Sequence, residues 1–188
     1  MEMKDQILTS AQRLVQQRGF NGFSYADVAV EVGIRKASLH HHFPSKADLG
    51  LALIESYAAK LNHELTRING LGVSAKEKLE AYANIYHSTL EADRMCMGGM
   101  LASETLTLDD TMLPSLKRFF ALNTEWLTEV LIEGESQHLF ALKSTAASHA
   151  RLLLSAFQGS LLVARATGDH DAFDETALLL ISGLMPNK

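Results

Sequence analysis

Three consecutive histidines, His40, His41 and His42, are the residues of this chain whose type most readily suggests chemistry. Histidine binds metal ions and exchanges protons near neutral pH. Metal ligands on a helix must share one face, whereas consecutive side chains point about 100° apart around the axis. The three rings therefore diverge, and we predict that they hold no metal.

The segment around these histidines, GIRKASLHHHFPSK at 33–46, also lacks a catalytic arrangement. It contains no nucleophile paired with an evident base and orienting group, and no glycine-rich phosphate loop. We therefore predict that the chain is not an enzyme and requires no cofactor. The remaining interpretation is a cationic surface shaped to fit a partner.

The elements that carry this surface are predicted to be helices, because apolar residues recur at helical spacing and strand-like alternation is scarce. We expect an all-α fold of about nine helices. Their predicted ranges are 4–18, 25–32, 36–42, 46–68, 74–93, 98–106, 113–133, 144–167 and 173–184.

The second and third helices predict a helix-turn-helix. Ser24 is a good N-cap with Asp27 three residues later, and Gly33 allows a sharp turn at positive φ. Leu39 and Phe43 mark the inner side of the short third helix. A short polar and cationic helix suits the major groove of DNA, although a merely solvated helix fits the same spacing.

The distribution of charge agrees with two functional parts. Residues 1–46 carry six Lys/Arg and four Asp/Glu, a net +2, whereas the remainder carries 11 and 18, a net −7. A basic head on an acidic body is compatible with nucleic-acid binding. We predict a DNA-binding domain at 1–46 joined to a second helical domain at 47–188.

Residues 1–50 resemble the N-terminal domain of the TetR family of bacterial transcriptional regulators. The matching positions are Ser24, Val28-Ala29, Gly33-Ile34, Lys36-Ala37-Ser38-Leu39, His42-Phe43 and Ser45-Lys46. The resemblance implies a dimeric repressor, with helices 1–3 on operator DNA and helices 4–9 binding a small-molecule effector and the partner subunit.

The resemblance also implies which residues contact DNA. Ser24 and Lys46 would touch phosphates, and Lys36 and Ser38 occupy positions that face DNA in the family. Two departures, His40 for the usual tyrosine and Arg35 for the usual serine, leave the bases that are recognised open. The full predicted set is Ser24, Tyr25, Arg35, Lys36, Ser38, His40, His41, His42 and Lys46.

Helices 8 and 9 are predicted to form a homodimer interface, because they are apolar on nearly every face and a surface helix needs only one apolar stripe. Two interior helices of a monomer would show the same pattern, but the family dimerises through its last two helices. The predicted interface residues are Ser155, Gly159, Leu162, Leu180 and Leu184.

The effector site is predicted from the segment 93–104, which resembles a cysteine-containing stretch in a subset of these regulators. The candidate residues are Tyr86, Cys96, Met97, Met100, Phe119, Trp126 and Phe157. Some relatives sense electrophiles or oxidants through a cysteine in this region. Sensing by Cys96 and simple packing of a buried thiol both remain open.

Composition sets the remaining expectations. A single cysteine excludes an intrachain disulfide and fits a reducing cytoplasm. The longest late uncharged stretch, 152–164, is too short to span a bilayer. We therefore favour a ligand-responsive repressor in the cytoplasm. The alternatives are a helical small-molecule carrier or enzyme whose basic head is incidental, and a structural DNA-binding protein without an effector.

Overall fold

The structure is a computed structural model that describes residues 2–186, and this part of the chain is all helical. Its nine α-helices, α1 to α9, span Met3–Arg18, Tyr25–Val32, Lys36–His42, Lys46–Asn69, Ala75–Glu91, Met97–Ser103, Leu113–Ser136, Ala146–Thr167 and Asp171–Ser182. A single 3-10 turn at Asp110–Met112 precedes α7. The predicted all-α class is confirmed.

The helix-turn-helix forms as the local signals predict. Ser24 caps α2 in a reciprocal box, accepting from the Asp27 N–H while the Asp27 carboxylate accepts from the Ser24 N–H. Gly33 adopts the left-handed conformation (φ 76°, ψ 32°), and its N–H closes α2 on the Ala29 carbonyl. Helix α2 packs against both α1 and α3. The turn at Gly33 therefore sets the angle between α2 and α3.

The head, residues 1–46, buries many apolar side chains. The buried apolar residues include Ile7, Ala11, Leu14, Val15, Val28, Ala29, Leu39 and Phe43. Leu39 has no exposed surface, so one side of α3 is anchored and the opposite side is left for solvent. Ser45 then caps α4 in a second capping box with Asp48. The end of α3 and the start of α4 are therefore only a few residues apart.

Packing divides the chain into two compact units. The first contains the chain up to Leu61 together with Arg94–Phe119, and the second contains Asn62–Asp93 and the chain from Phe120. Within the second unit, α5, α8 and α9 pack against one another. The described residues include no helix that is long and apolar enough to cross a membrane.

Helices α2 and α3 have the predicted boundaries, and the other helix ends differ from the predictions by at most three residues. Helix α5 ends at Glu91, and Asp93 follows with a positive φ of 52°. Helix α6 begins at Met97, one residue earlier than predicted, with Cys96 at its N-cap. Helix α9 ends at Ser182, so Leu184 lies beyond it.

Candidate nucleic-acid interface

The outer side of α3 presents a row of polar and cationic groups. Arg35, Lys36, Ser38, His40 and His41 are all exposed. Leu39 and Phe43 on the other side of the helix are buried and anchor it in the head. The arrangement supplies several hydrogen-bond donors on one short helix, as major-groove recognition requires.

The three histidines have different surroundings. The Nδ1 atom of His40 lies 3.2 Å from the Pro44 carbonyl oxygen, and its ring lies 4.8 Å from that of Tyr25. A carbonyl only accepts, so Nδ1 carries the proton and Nε2 is the acceptor of neutral His40. The rings of His41 and half-buried His42 meet edge to face at 5.7 Å. Within residues 2–186 no group of metal-ligating side chains converges.

Tyr25, a predicted DNA contact, is only 6% exposed. Its hydroxyl donates to the carbonyl oxygens of Phe43 at 2.9 Å and Ser45 at 2.5 Å. Burial, with a smaller contribution from Asp48, raises the pKa of Tyr25 to about 12. Tyr25 therefore joins the start of α2 to the link between α3 and α4, and its contact with DNA stays a prediction.

Ser24 is exposed, but its polar groups are already engaged. Its hydroxyl donates to the Asp27 carboxylate at 2.6 Å, and its N–H donates to the same oxygen at 2.7 Å. Hydrogen bonds from Ser24 hold the pKa of Asp27 below its usual range, so the carboxylate stays charged. A phosphate contact by Ser24 would require its hydroxyl to leave this box.

Lys46 was expected at a phosphate, and the structure gives it internal partners. Its Nζ donates to the carbonyl oxygens of Phe20 and Phe23, both at 2.6 Å, and lies over both rings. Burial lowers the pKa of Lys46, whereas Glu104 and Asp27 oppose that effect. Lys46 thus joins the first turn of α4 to the α1–α2 turn, a role that the sequence does not indicate.

Glu104 is the main residue that the predicted set omits. Its carboxylate accepts from the backbone N–H groups of Phe20 at 2.7 Å and Asn21 at 3.2 Å. Nearby, the Asn21 side chain donates to Thr107 Oγ1 at 2.8 Å. These residues are more than 80 positions apart in the chain, so no local pattern could have brought them together.

The candidate effector residues fall into both units. Cys96, Met97, Met100 and Phe119 belong to the first, and Tyr86, Trp126 and Phe157 to the second. Cys96 is 6% exposed, and the Tyr57 hydroxyl lies 3.9 Å from its Sγ atom. The thiol is therefore buried, contrary to the partial exposure that a directly reactive cysteine requires. That these seven residues bind one effector stays a prediction.

The second unit contains a buried cluster that combines aromatic rings with polar groups. The Tyr82 ring stacks on Trp126 at 5.4 Å and lies 5.9 Å from Phe157. Its hydroxyl donates to Asn123 Oδ1 at 2.7 Å and lies 3.2 Å from the Tyr86 hydroxyl. The polar groups of this cluster hydrogen-bond to one another within the core. Tyr82 and Asn123 were absent from the predicted set.

Helices α8 and α9 leave large apolar side chains exposed. The exposed set on these helices is Leu152, Leu162, Val163, Leu178 and Leu179. Of the predicted interface residues, Ser155, Gly159 and Leu162 are exposed and Leu180 is half-buried. Leu184 differs from these: it is only 4% exposed within the chain, and its carbonyl accepts from the Ala141 N–H at 2.8 Å.

Comparison with known proteins gives consistent matches. The family model described as bacterial regulatory proteins, tetR family, matches residues 7–53. A TetR-family transcriptional regulator from Agrobacterium tumefaciens is 33% identical, with 97% of each chain covered and a TM-score of 0.94. A TetR regulator from Legionella pneumophila is also 33% identical, with 98% of each chain covered and a TM-score of 0.90. The transcriptional repressor NemR of Escherichia coli is 22% identical over 98% of this chain and 94% of its own.

Proposed function

Because this chain belongs to the TetR family of bacterial regulatory proteins, we propose that it is a homodimeric repressor that a small molecule releases from operator DNA. The observation that carries the proposal is the exposed row of Arg35, Lys36, Ser38, His40 and His41 on α3. A helix anchored on one side and cationic on the other is suited to the major groove.

The exposed apolar face of α8 and α9 supports the homodimer. Leu162 is 60% exposed and Leu178 66% exposed, although both are large apolar side chains. A second copy of the chain would remove this surface from water. A two-fold dimer then presents two recognition helices, which reach successive major grooves when they lie about 34–36 Å apart.

Release is a shift between two populations. In one state of the dimer the recognition helices fit successive major grooves, and in the other they are wrongly spaced. An effector that binds the second state more tightly lowers the affinity for DNA, and the size of this effect is set by the difference between its affinities for the two states. The effector itself stays unidentified. A regulator of chromosomal DNA would act in the bacterial cytoplasm.

The carrier or enzyme alternative is not favoured, because the full-length relatives are transcriptional regulators. The proposed function is tested by selecting duplexes from a random pool with the wild-type protein. We expect an inverted repeat whose half-sites are centred about 10 bp apart, or a multiple of that spacing. Failure to enrich any sequence over non-specific binding would contradict it.

A further inference from the structure

The turn between α1 and α2, residues 20–23, is held from two sides. On one side the Glu104 carboxylate accepts from the N–H groups of Phe20 and Asn21. On the other side Lys46 Nζ donates to the carbonyl oxygens of Phe20 and Phe23. One short turn therefore joins a residue after α6 to the first residue of α4.

The attachment of the α6 segment to α1 is more extensive than one carboxylate. The backbone N–H of Met95 donates to the Gln16 carbonyl at 3.0 Å, and Gln16 Nε2 donates back to the Met95 carbonyl at 3.0 Å. Gln16 is buried, so these hydrogen bonds are shielded from water. The last turn of α1 is thus bonded to the start of the segment 95–107, and the turn that follows α1 is bonded to the end of that segment.

A close approach at Gly19 shows that the Glu104 contact is tightly fitted. Gly19 has a φ of +82°, and a Cβ added there would lie 2.7 Å from Glu104 Oε1. Glycine is the residue that tolerates both this backbone conformation and this approach. The carboxylate therefore meets the turn at a position where the local backbone leaves space for it.

The second half of the connection leads to the recognition helix. Lys46 begins α4 only four residues after α3 ends at His42. The link between them is also held by the Tyr25 hydroxyl on the Phe43 and Ser45 carbonyls. A displacement of the turn at 20–23 would be transmitted through Lys46 to this link, because the Lys46 ammonium donates to two carbonyl oxygens of the turn and Lys46 directly follows the link.

We propose that Glu104 is a positioning residue that fixes the orientation of α3 through the turn at 20–23 and Lys46. The inference rests on the proposed function for its biological meaning. Movement of the segment 95–107 withdraws the carboxylate, frees two N–H groups of the turn and loosens the link that follows the recognition helix. Such a movement would therefore lower the affinity for DNA.

The test compares Glu104→Gln with a matched control, Glu77→Gln. Glu77 also accepts from a backbone N–H, that of Ser74 at 2.9 Å, but it caps α5 in the second unit. Glutamine keeps the size of each side chain and removes the charge. In Glu104→Gln only one of the two N–H groups of the turn keeps an oxygen acceptor, whereas in Glu77→Gln the amide oxygen can still accept from Ser74. A general loss of stability would affect both variants alike.

Amide hydrogen exchange is the first measurement, and it requires no DNA. In Glu104→Gln the amides of Phe20 and Asn21, and also those of residues 36–43, should exchange roughly tenfold faster. Glu77→Gln should accelerate Ser74 and leave residues 36–43 unchanged. Unchanged exchange at 36–43 in Glu104→Gln, or equal acceleration in both variants, would overturn the proposal.

The second measurement is affinity for a duplex selected by the wild-type protein. Glu104→Gln should bind it roughly five- to tenfold more weakly, and Glu77→Gln should stay within about twofold of wild type. Equal affinity in wild type and Glu104→Gln would overturn the proposal. If the wild type selects no duplex, the proposed function fails, and hydrogen exchange alone still decides the role of Glu104.

Thr107→Val supplies a milder variant in case Glu104→Gln does not fold. It keeps the shape of the side chain and the Glu104 carboxylate, and it removes both the acceptor of the Asn21 amide and the donor to the Glu104 carbonyl oxygen. We expect a smaller acceleration at the same residues, 20, 21 and 36–43. Acceleration limited to residues 20 and 21 would show that the turn does not communicate with α3 and would overturn the proposal.

Discussion

The Tyr25 hydroxyl donates to the Phe43 carbonyl oxygen at 2.9 Å, which joins the start of α2 to the end of α3. Tyr25→Phe keeps the ring and removes this donor. We expect a loss of about 1–2 kcal/mol in the free energy of unfolding, since buried acceptors lose their partner. Urea denaturation measures it. Unchanged stability with a shallower salt dependence of DNA binding would instead indicate a phosphate contact.

The exposed position of Lys36 predicts a direct contact with DNA. Lys36→Ala should weaken binding, and Lys143→Ala, which removes an equally exposed charge outside the head, is the matched control. If Lys36 contacts a phosphate, Lys36→Ala lowers the salt slope by about one and weakens binding about equally for every sequence. If Lys36 contacts guanine, Lys36→Ala loses about 1–3 kcal/mol of binding free energy at one position of the site. Equal affinities for both variants and wild type in a gel-shift titration would exclude the assignment.

The local signals in the sequence are sufficient for most of the head. The Ser24–Asp27 box and the left-handed Gly33 follow from residue type and spacing, so α2 and the turn could be predicted. The exposed row on α3 could also be predicted, because buried Leu39 and Phe43 fix the opposite side.

The connections made by Tyr25, Lys46 and Glu104 could not be predicted. Tyr25 and Lys46 are polar residues beside a cationic helix, which resembles a pattern of DNA contacts, yet both donate to internal carbonyls. Glu104 contacts residues 83 and 84 positions away. Such pairs are determined by tertiary packing, and one sequence contains no periodic signal for them.

Gly159 provides the clearest test of the homodimer. A Cβ added at Gly159 meets no atom within 4 Å, so a larger side chain fits the single chain. Gly159→Glu should therefore leave the protomer folded while placing an unpaired carboxylate in the proposed interface. Sedimentation should show wild type near twice its 20.6 kDa mass and the variant shifted toward monomer.

The control for this experiment is Leu71→Glu, which places a carboxylate at an exposed apolar residue outside α8 and α9. We expect this variant to sediment as wild type does. A wild type that sediments as a monomer at micromolar concentration, or a Gly159→Glu variant that remains a full dimer, would contradict the assignment of this face.

Cys96 is buried at the start of α6, and its accessibility decides between packing and sensing. Because only locally opened molecules expose the thiol, iodoacetamide should alkylate it on the order of a hundredfold more slowly than a free peptide thiol. The same protein unfolded in urea supplies the reference rate, and Cys96→Ser supplies the blank. A folded-state rate close to the unfolded one would favour a sensor, and Cys96→Ser should then bind DNA normally but lose its response to an electrophile. A slow rate, which the structure leads us to expect, assigns Cys96 to packing of the α6 segment and leaves control of that segment to a reversible effector.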